Sequence, residues 1–475
     1  MPWLERIWAV HGRSDRLAVA EPSGLVTGAE LVGKAASAAE LLAALDTLDG
    51  VPVPALLTTN ADALALLFGG TSVNKPLAPL GPRLSAVELA AMVRGCGSRI
   101  LLSEKRFADI AHRVAALAAA RVVIVPPLPM STAALAGPAV GVAFFLHTAG
   151  TTGVPKIVPY TQQVLTARTE VLGGLVGYKP DDRFATGSPF HHLGGLGNLL
   201  AAVAFGAAVI PTDHFSLQWW RGAQELGATH CNLVPTMIEM LLAADLLDVA
   251  SLRTLIYGAA PIAPDTLARV LRLLPEARLI HLFGQTEGSP ITCLGPEDHR
   301  RAAAKPELLG TVGRAVPDLD LRISQPDAAG EGEVHAAAAH LAAPTADGWL
   351  HTGDLGQLDA EGYLRLVGRQ NDKVVRGGEN VYPDEVEAVL AGHPGVAAVV
   401  VVGVPDPRLG ETLSAFIVPI DPDHPPGLNE LRSFARQRMA GFKVPAYWHT
   451  VDVLPRSHAG KVLRRVLKEM HAARE

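Results

Sequence analysis

The chain has few cysteines, few aromatic residues and no long uninterrupted apolar run. Its three cysteines, Cys96, Cys231 and Cys293, are odd in number and far apart in 475 residues, which argues against a disulfide framework and a CxxC metal site. No apolar stretch reaches the roughly 18 residues that a membrane-spanning helix needs, and the N-terminus lacks the apolar core of a signal peptide. We therefore expect a cytoplasmic protein.

Charged residues are nearly balanced, and neither basic residues nor histidines are concentrated. The 41 basic residues stand against 47 acidic ones, and no basic block suggests binding to nucleic acid or to an anionic membrane. The 17 histidines contain no H-x-x-x-H or H-E-x-x-H spacing, so no zinc site is indicated. Hydrophobic residues make up 49% of the chain, and its length exceeds one compact core, which predicts at least two lobes.

Short β-branched runs alternate with segments rich in alanine and leucine, which predicts an α/β fold with parallel sheets covered by helices. The predicted strands of the first part are Arg121–Val125, Val142–Leu146, Ala207–Ile210, Thr254–Tyr257 and Arg278–His281, and the clearest predicted helices are Leu199–Phe205, Met237–Leu247 and Pro264–Leu274. Beyond residue 383 a smaller α+β unit is predicted, comprising helix Pro383–Ala391, strands Val396–Val402 and Leu413–Pro419, helix Leu428–Met439 and a basic helix from Lys461. We place the domain boundary at Gln370–Asn371, which gives domains 1–370 and 371–475.

The loop from Thr148 to Lys156 has the composition of a phosphate-binding turn. Two glycines in it, Gly150 and Gly153, allow backbone N–H groups to approach an anion, and a lysine closes it. The further hydroxyl donors are Thr148, Thr151 and Thr152. The loop lacks the G-x-x-x-x-G-K-[ST] pattern of a Walker A motif, and on its own an ordinary turn explains it equally well.

Two later segments follow predicted strands. Phe283-Gly-Gln-Thr-Glu287 combines an aromatic face, a hydroxyl and a carboxylate, which suit a purine, a phosphate and Mg²⁺, although a capped helix start is an equal alternative. Gly258-Ala-Ala-Pro261 ends a strand without bulky side chains, as a flat ring packed on backbone requires. Each segment alone is a weak indication of a nucleotide site.

A third segment, Gly348-Trp-Leu-His-Thr-Gly-Asp354, places an aspartate after a glycine turn. A carboxylate in such a position can accept both hydroxyls of a ribose. Arg369, in Gly368-Arg369, is close enough in sequence to reach the same ribose or a phosphate. A surface ion pair is the alternative, but it does not explain the surrounding glycines.

Taken together, the motifs resemble those of the adenylate-forming superfamily, which includes acyl- and aryl-CoA synthetases, adenylation domains and luciferases. Seven segments occur in the family's order, namely Thr148–Lys156, Gly258–Pro261, Phe283–Glu287, Gly348–Asp354, Gly368–Asp372, Gly377–Asn380 and Pro455–Lys461. Pro189–Gly195 and Val404–Glu411 are similar to the acyl-CoA synthetase branch. The resemblance implies a large N-terminal domain with a small barrel-like subdomain, and a small mobile C-terminal domain.

The same resemblance implies two half-reactions. A carboxylate attacks the α-phosphorus of Mg·ATP and releases pyrophosphate, and then a thiol, usually that of CoA, displaces AMP. It implies that Lys461, Thr286, Glu287 and His192 are catalytic, with Glu287 as the Mg²⁺ ligand and Lys156 at the leaving phosphates. The implied ATP and AMP contacts are Thr148, Gly150, Thr151, Thr152, Gly153, Lys156, Gly258, Ala259, Ala260, His281, Phe283, Gly284, Gln285, Asp354 and Arg369.

The C-terminal domain is implied to rotate between the half-reactions. Asn371 then stands at the pivot, where relatives usually carry Asp or Lys, and Gly377 and Gly378 line the CoA tunnel. His192 matches a gate between the carboxylate and thiol channels. The implied acyl pocket contains His192, Gly194, Gly195, Tyr257 and Gly258.

Several positions depart from the family pattern, and some choices stay open. Ala149, Ile157 and Gln162 replace a frequent serine, glycine and histidine. The first of these removes a possible hydroxyl contact, which predicts weaker ATP binding or slower pyrophosphate release without loss of activity. The acceptor is CoA or an acyl carrier protein. CoA is favoured because the chain has no insertion between Glu287 and Gly348, where fatty acyl-AMP ligases carry one. Cyclisation of the adenylate and a degenerate binding protein also stay open. A monomer or homodimer is expected, and no cation stands out as a partner for a second substrate carboxylate, which favours a mono-acid.

Overall fold

The computed structural model describes residues 1–133, 135, 137, 141–148, 156–212, 214–260, 262, 264–326, 330–369, 374–455, 462 and 464–474. The helices of this part are α1 Trp3–His11, α2 Gly28–Ala43, α3 Ala61–Ser72, α4 Ala86–Gly95, α5 Ala108–Ala118, α6 Gln162–Val176, α7 Leu193–Ala204, α8 Leu217–Glu225, α9 Pro235–Ala243, α10 Pro264–Leu273, α11 Pro296–Arg301, α12 Pro383–Leu390, α13 Leu428–Arg436 and α14 Arg464–Ala472. Helices α2, α3, α4 and α6 begin at side-chain caps. Thr27 and Glu30 form a capping box at α2, and Ser85 and Glu88 form one at α4.

The strands up to the third sheet are β1 Leu17–Glu21, β2 Gly24–Thr27, β3 Val53–Leu56, β4 Leu77–Pro79, β5 Ile100–Ser103, β6 Arg121–Ile124, β7 Val142–Thr148, β8 Lys156–Thr161, β9 Arg183–Thr186, β10 Ala208–Ile210, β11 His230–Leu233, β12 Thr254–Gly258, β13 Arg278–Gln285, β14 Gly288–Leu294 and β15 Arg314–Ala315. The remaining strands are β16 Asp320–Ser324, β17 Gly332–Ala337, β18 Leu350–Leu358, β19 Leu364–Arg369, β20 Val374–Arg376, β21 Glu379–Val381, β22 Val396–Asp406, β23 Gly410–Pro419 and β24 Tyr447–Thr450.

Two mainly parallel sheets form the large domain. One has six strands in the order β6-β5-β3-β4-β7-β8, and the other has nine in the order β15-β14-β13-β12-β11-β9-β10-β1-β2. Strand β12 is buried along its whole length because Ile256 packs into the apolar cluster on one face of the larger sheet while Leu255 and Tyr257 pack into the cluster on the other. This two-sided burial explains the continuous apolar sequence of the central strands and confirms the predicted α/β class.

A four-stranded antiparallel sheet, β16-β17-β18-β19, follows at the position expected for the small subdomain. The C-terminal unit is built on the long antiparallel pair β22–β23, with β20, β21 and β24 beside it. Val386 and Ala435, on α12 and α13, pack on one side of this sheet, and Leu467 of α14 packs on the other. In the described ranges, no helix combines the length and the apolar character needed to cross a membrane.

Candidate functional site

A cavity of about 680 Å³ lies at the carboxyl ends of strands β9, β11, β12 and β13. The segments after these strands supply one wall, and residues from the C-terminal unit, including Gly377, Gly378, Glu379 and Asn380, supply another. This is the edge at which open α/β sheets bind ligands. The structure thus brings together motifs that are nearly two hundred residues apart in the chain.

Beside β12 and β13, the floor of the cavity is formed by exposed backbone. A Cβ atom on Gly258 would lie 2.2 Å from the carbonyl oxygen of Leu282, so only glycine allows the two strands to approach this closely. Ala259 follows with a φ of 67°, a left-handed conformation that costs a non-glycine residue on the order of 1 kcal/mol or more. Both residues line the cavity, as the predicted ring-binding role requires.

Strand β13 is longer than predicted. It runs to Gln285 and turns at Thr286 and Glu287 into the antiparallel strand β14, so the pentad Phe283–Glu287 is the end of a β-hairpin strand and its turn, not a helix start. The turn is fixed from two sides: Tyr160 donates its hydroxyl to the Thr286 carbonyl at 2.7 Å, and the Ala342 N–H donates to the Glu287 carbonyl at 2.9 Å. The side chains of Thr286 and Glu287 are thereby held at the cavity.

Two adjacent histidines face the C-terminal unit. His191 and His192 precede α7, their ring centroids lie 4.3 Å apart, and His192 Nε2 lies 3.4 Å from Glu379 Oε2. Arg83 Nη1 lies 3.3 Å from the other carboxylate oxygen of Glu379. Burial raises the pKa of Glu379, but the interactions with His192, and then those with His191 and Arg83, outweigh it and lower the pKa to about 2. Burial, followed by the neighbouring His192, lowers the pKa of His191 to about 3.

Gly377 and Gly378 form the two-residue turn between β20 and β21. Their φ angles of 59° and 87° belong to the left-handed region, which glycine enters without strain and which tight hairpin turns require. A Cβ atom on Gly378 would lie 3.4 Å from Val234 Cγ2, on the opposite wall of the cavity. The turn therefore approaches the N-terminal domain across the cavity.

Further contacts hold the two units together beside this turn. Lys443 Nζ, on the C-terminal side, lies 2.7 Å from Glu88 Oε1 of α4 and also bonds to Glu385. Burial lowers the pKa of Lys443, but the carboxylates of Glu385 and Glu88 outweigh it, and the net shift is upward. Ser85 donates its hydroxyl to the Arg438 carbonyl at 3.3 Å.

Other predicted residues lie nearby without lining this cavity. Phe283 is 8% exposed and packs with Ile291 and Val334, because alternation along β13 directs it away from the face that carries Leu282. His281, also 8% exposed, stacks on Tyr257 with 4.8 Å between ring centroids, and burial, then His299, lowers its pKa to about 3. Ala260 and Gly195 are likewise outside the lining, whereas Tyr257, Gly194, Gly284 and Gln285 belong to it.

Asp354 lies within strand β18, directly after Gly353. Its Cα is paired with that of Arg369 on β19, so the two predicted ribose contacts are neighbours across two strands. Gly353, with a φ of 68°, precedes it and donates its N–H to Glu333 at 3.0 Å. Asp354 is 2% exposed.

The predicted phosphate-binding segment lies between two antiparallel strands. Thr148 ends β7, Lys156 begins β8, and their Cα atoms are paired, while residues 149–155 are outside the described part of the chain. The side chain of Thr148 is buried and its hydroxyl has no partner in the described part of the chain, whereas Lys156 is exposed. The predicted residues Gly150, Thr151, Thr152, Gly153, Asn371 and Lys461, and the side chain of Arg369, lie outside the described residues.

Sequence reasoning missed Arg168, which lies on α6 and lines the cavity. The residue is 2% exposed. Helical spacing on α6 indicates which face is buried, but it gives no sign that an arginine on that face borders a ligand cavity.

The structure also gathers three potential metal ligands away from the cavity. Glu333, His335 and His351 offer ligand atoms within 4.8 Å of one another on β17 and β18. His335 Nε2 lies 3.1 Å from Glu333 Oε2, and the two imidazole rings stack at 4.0 Å. Pairing across two strands produces this group, so the linear spacing of histidines gave no sign of it.

Comparison with known proteins places this geometry. The family of AMP-binding enzymes matches residues 7–343, and the C-terminal domain of AMP-binding enzymes matches residues 385–461. The chain is 32% identical to the fatty acid–[acyl-carrier-protein] ligase ScoC of Streptomyces coeruleorubidus, over 85% of this chain and 83% of that one. It is 32% identical to a feruloyl-CoA synthase from Amycolatopsis sp., over 92% of each chain.

A solved structure extends the likeness to the whole fold. The amide bond synthetase McbA from Marinactinospora thermotolerans superposes with a TM-score of 0.88 and 27% identity, covering 99% of both chains. Like the feruloyl-CoA synthase, further relatives at 30% identity or more are acid–CoA ligases. The chain belongs to the family of AMP-binding, adenylate-forming enzymes, in its branch of AMP-forming acid–CoA ligases.

Proposed function

We propose that this protein uses ATP and Mg²⁺ to convert a carboxylic acid into an acyl-adenylate in the cytoplasm, and then transfers the acyl group to the thiol of CoA. Pyrophosphate leaves in the first step and AMP in the second. The observation that carries the proposal is the shared cavity, in which Thr286 and Glu287 of the N-terminal domain face Gly377 and Gly378 of the C-terminal unit. Groups suited to phosphate chemistry and to thiol entry thus border one space.

The first step brings an anionic carboxylate to an anionic phosphate, so the site must offset charge repulsion. We assign the Thr286 hydroxyl to the α-phosphate, Lys156 and the loop that it closes to the leaving phosphates, and Lys461 to the acyl carboxylate and the α-phosphate. Asp354 and Arg369 are assigned to the ribose, and Gly258 to Ala260, with His281 and Phe283, to the adenine. The pairing of Asp354 with Arg369 on neighbouring strands supports the ribose assignment.

Glu287 suits a magnesium ion. Its side chain lines the cavity, and in the described part of the chain its carboxylate has no cationic partner, while backbone bonds hold the turn that carries it. Carboxylate oxygens are the ligands that Mg²⁺ prefers, and the ion supplies charge neutralisation at the phosphates when it is bound. Glu287 itself orients one edge of that site.

For the second step we assign the present arrangement of the two units to thiol transfer. The Gly377–Gly378 turn leaves room for a pantetheine arm because neither residue carries a side chain. His192 stands between the N-terminal wall and this turn, where its contact with Glu379 helps to hold the turn in place. We propose that rotation about Asn371 exchanges this arrangement for one in which Lys461 serves adenylation.

The thiol acceptor is the part of the proposal for which a second candidate exists. The likeness to a fatty acid–[acyl-carrier-protein] ligase favours a carrier-protein thiol as the second candidate. Both acceptors present a pantetheine thiol, so the same glycine turn serves either.

A screen of carboxylic acids by pyrophosphate release, with and without CoA, tests the function. We expect some acids to release pyrophosphate and, with CoA present, to yield a CoA thioester and AMP. Glu287→Gln is the matched control and should lose pyrophosphate release with the same acids. Release that gives no CoA thioester but loads an acyl carrier protein would establish the second candidate. Absence of release with every acid would contradict adenylation.

A further inference from the structure

A buried arginine borders the cavity at a distance from the phosphate-binding loop. Arg168 lies on α6 and packs directly over Gly197 of α7, since a Cβ atom on Gly197 would lie 2.8 Å from its Cζ. At 2% exposure, its guanidinium is almost completely removed from solvent. Arg168 and its neighbour Asn198 both line the cavity.

Among the described residues, no carboxylate compensates the charge of Arg168. Its Nη1 donates to the Gly197 carbonyl at 2.8 Å, its Nη2 lies 3.4 Å from Asn198 Oδ1, and its Nε has no partner within the described ranges. No carboxylate of those ranges forms an ion pair with it, and the charged or ionisable groups that act on it most are the hydroxyls of Tyr160 and Tyr178. A guanidinium carries five N–H donors, so several are unused.

An unpaired buried cation is costly, and proteins rarely keep one without an anion. Burial lowers the pKa of Arg168, the direction expected for a cation without a counter-charge. Its hydrogen-bond partners are a side-chain amide and a backbone carbonyl, and the residue lines the cavity, so an anionic group of a ligand in the cavity can reach it. The planar fork of arginine matches a carboxylate with two parallel hydrogen bonds.

We propose that Arg168, with Asn198 beside it, binds a second carboxylate of the acid substrate, so that the enzyme prefers dicarboxylic acids. This inference rests on the proposed function. One carboxylate reacts at Thr286 and Glu287, while the other remains unreacted and pairs with Arg168. The preference replaces the mono-acid expectation from the sequence, which had no means of placing a cation in the pocket.

The test compares matched substrates on the unaltered enzyme. A panel of aliphatic and aryl dicarboxylic acids of graded length is assayed for pyrophosphate release beside the monomethyl ester of each acid. The ester removes the distal charge and is larger than the carboxylate by one methyl group. We expect kcat/KM for the best diacid to exceed that of its monoester by about 10- to 150-fold, the range of a charged hydrogen bond.

Variants then assign the preference to the arginine. Arg168→Met should lower kcat/KM for the diacid and leave that for the monoester within a few-fold. Arg278→Met is the matched control, since Arg278 also braces α6, through the carbonyls of Leu175 and Val176, without lining the cavity. It should leave the diacid preference intact.

The possible outcomes distinguish failure of the Arg168 assignment from failure of the proposed adenylation. If the unaltered enzyme turns over the monoesters as well as the diacids, or better, the role of Arg168 is overturned while adenylation stays established. The same conclusion follows if soluble, folded Arg168→Met loses kcat/KM equally with both substrates. If Arg168→Met does not fold, the comparison on the unaltered enzyme decides. Failure of every acid, with one carboxylate or two, to release pyrophosphate overturns both proposals.

Discussion

Replacing Gly378 by a residue with a side chain should impair thioester formation while leaving adenylation intact. Leucine there must adopt a φ near 87°, which costs a non-glycine residue about 1–2 kcal/mol. Its Cβ would already contact Val234 Cγ2 at 3.4 Å, so the three further carbons must occupy the cavity between the two units. Because a misplacement of about 1 Å can cost 10²-fold, we expect thioester formation by Gly378→Leu to fall by about 100-fold or more.

Adenylation should survive this change, since the groups assigned to it lie on other elements. The assay is single-turnover pyrophosphate release without CoA, followed by thioester formation after CoA is added. Gly362→Leu is the matched control: Gly362 has a φ of 82°, but a Cβ atom on it would meet no atom within 4 Å, so the substitution carries the backbone cost alone. Equal loss of both half-reactions in Gly378→Leu, or normal thioester formation, would refute the placement of the tunnel.

Three further predictions concern the lysine, the ion pair and the sheet. Lys461→Ala should abolish adenylation but leave thiol transfer from a supplied acyl-adenylate largely intact, and equal loss of both would refute its role. Glu379→Gln should remove an interaction that is present above pH 4.5 and lost as the pH falls toward 2, because the folded pKa is about 2 against an ordinary 4.5. The difference in unfolding free energy between the two proteins in urea should therefore shrink as the pH falls from 6 toward 2, and a difference that does not change with pH would contradict the prediction. Gly258→Ala should cost about 1–3 kcal/mol and impair adenylation because of the 2.2 Å contact with Leu282, whereas Gly222→Ala, with no atom within 4 Å, should do neither.

The central strands could be predicted because a run of consecutive apolar residues indicates a strand that is buried on both faces. Thr254–Tyr257 reads as a fully buried strand, and β12 is Thr254–Gly258. The predicted end of β13 at His281 was wrong because antiparallel pairing with β14 extends the strand to Gln285. Gly353 lies inside β18, between β17 and β19, although its φ of 68° is one that glycine often adopts in turns.

Four of the motifs supply part of the cavity lining, but they do not reveal the electrostatics of the cavity. His192 and Glu379 were both in predicted motifs, yet their contact depends on how two units of the chain meet. Arg168 was invisible because an isolated arginine on a helix is usually solvated, and only the packing of α6 on α7 buries it. Long-range packing, which no local pattern encodes, therefore decides which charges face a substrate.

The central claim is that an acyl-adenylate forms first and a thiol then displaces AMP. It is tested most directly by a single turnover with α-labelled ATP and an acid found in the screen. We predict that without CoA the label accumulates as acyl-adenylate, and that added CoA converts it to free AMP with an equal amount of CoA thioester. Formation of labelled ADP, or release of AMP at a rate and yield that no thiol acceptor changes, would contradict the account.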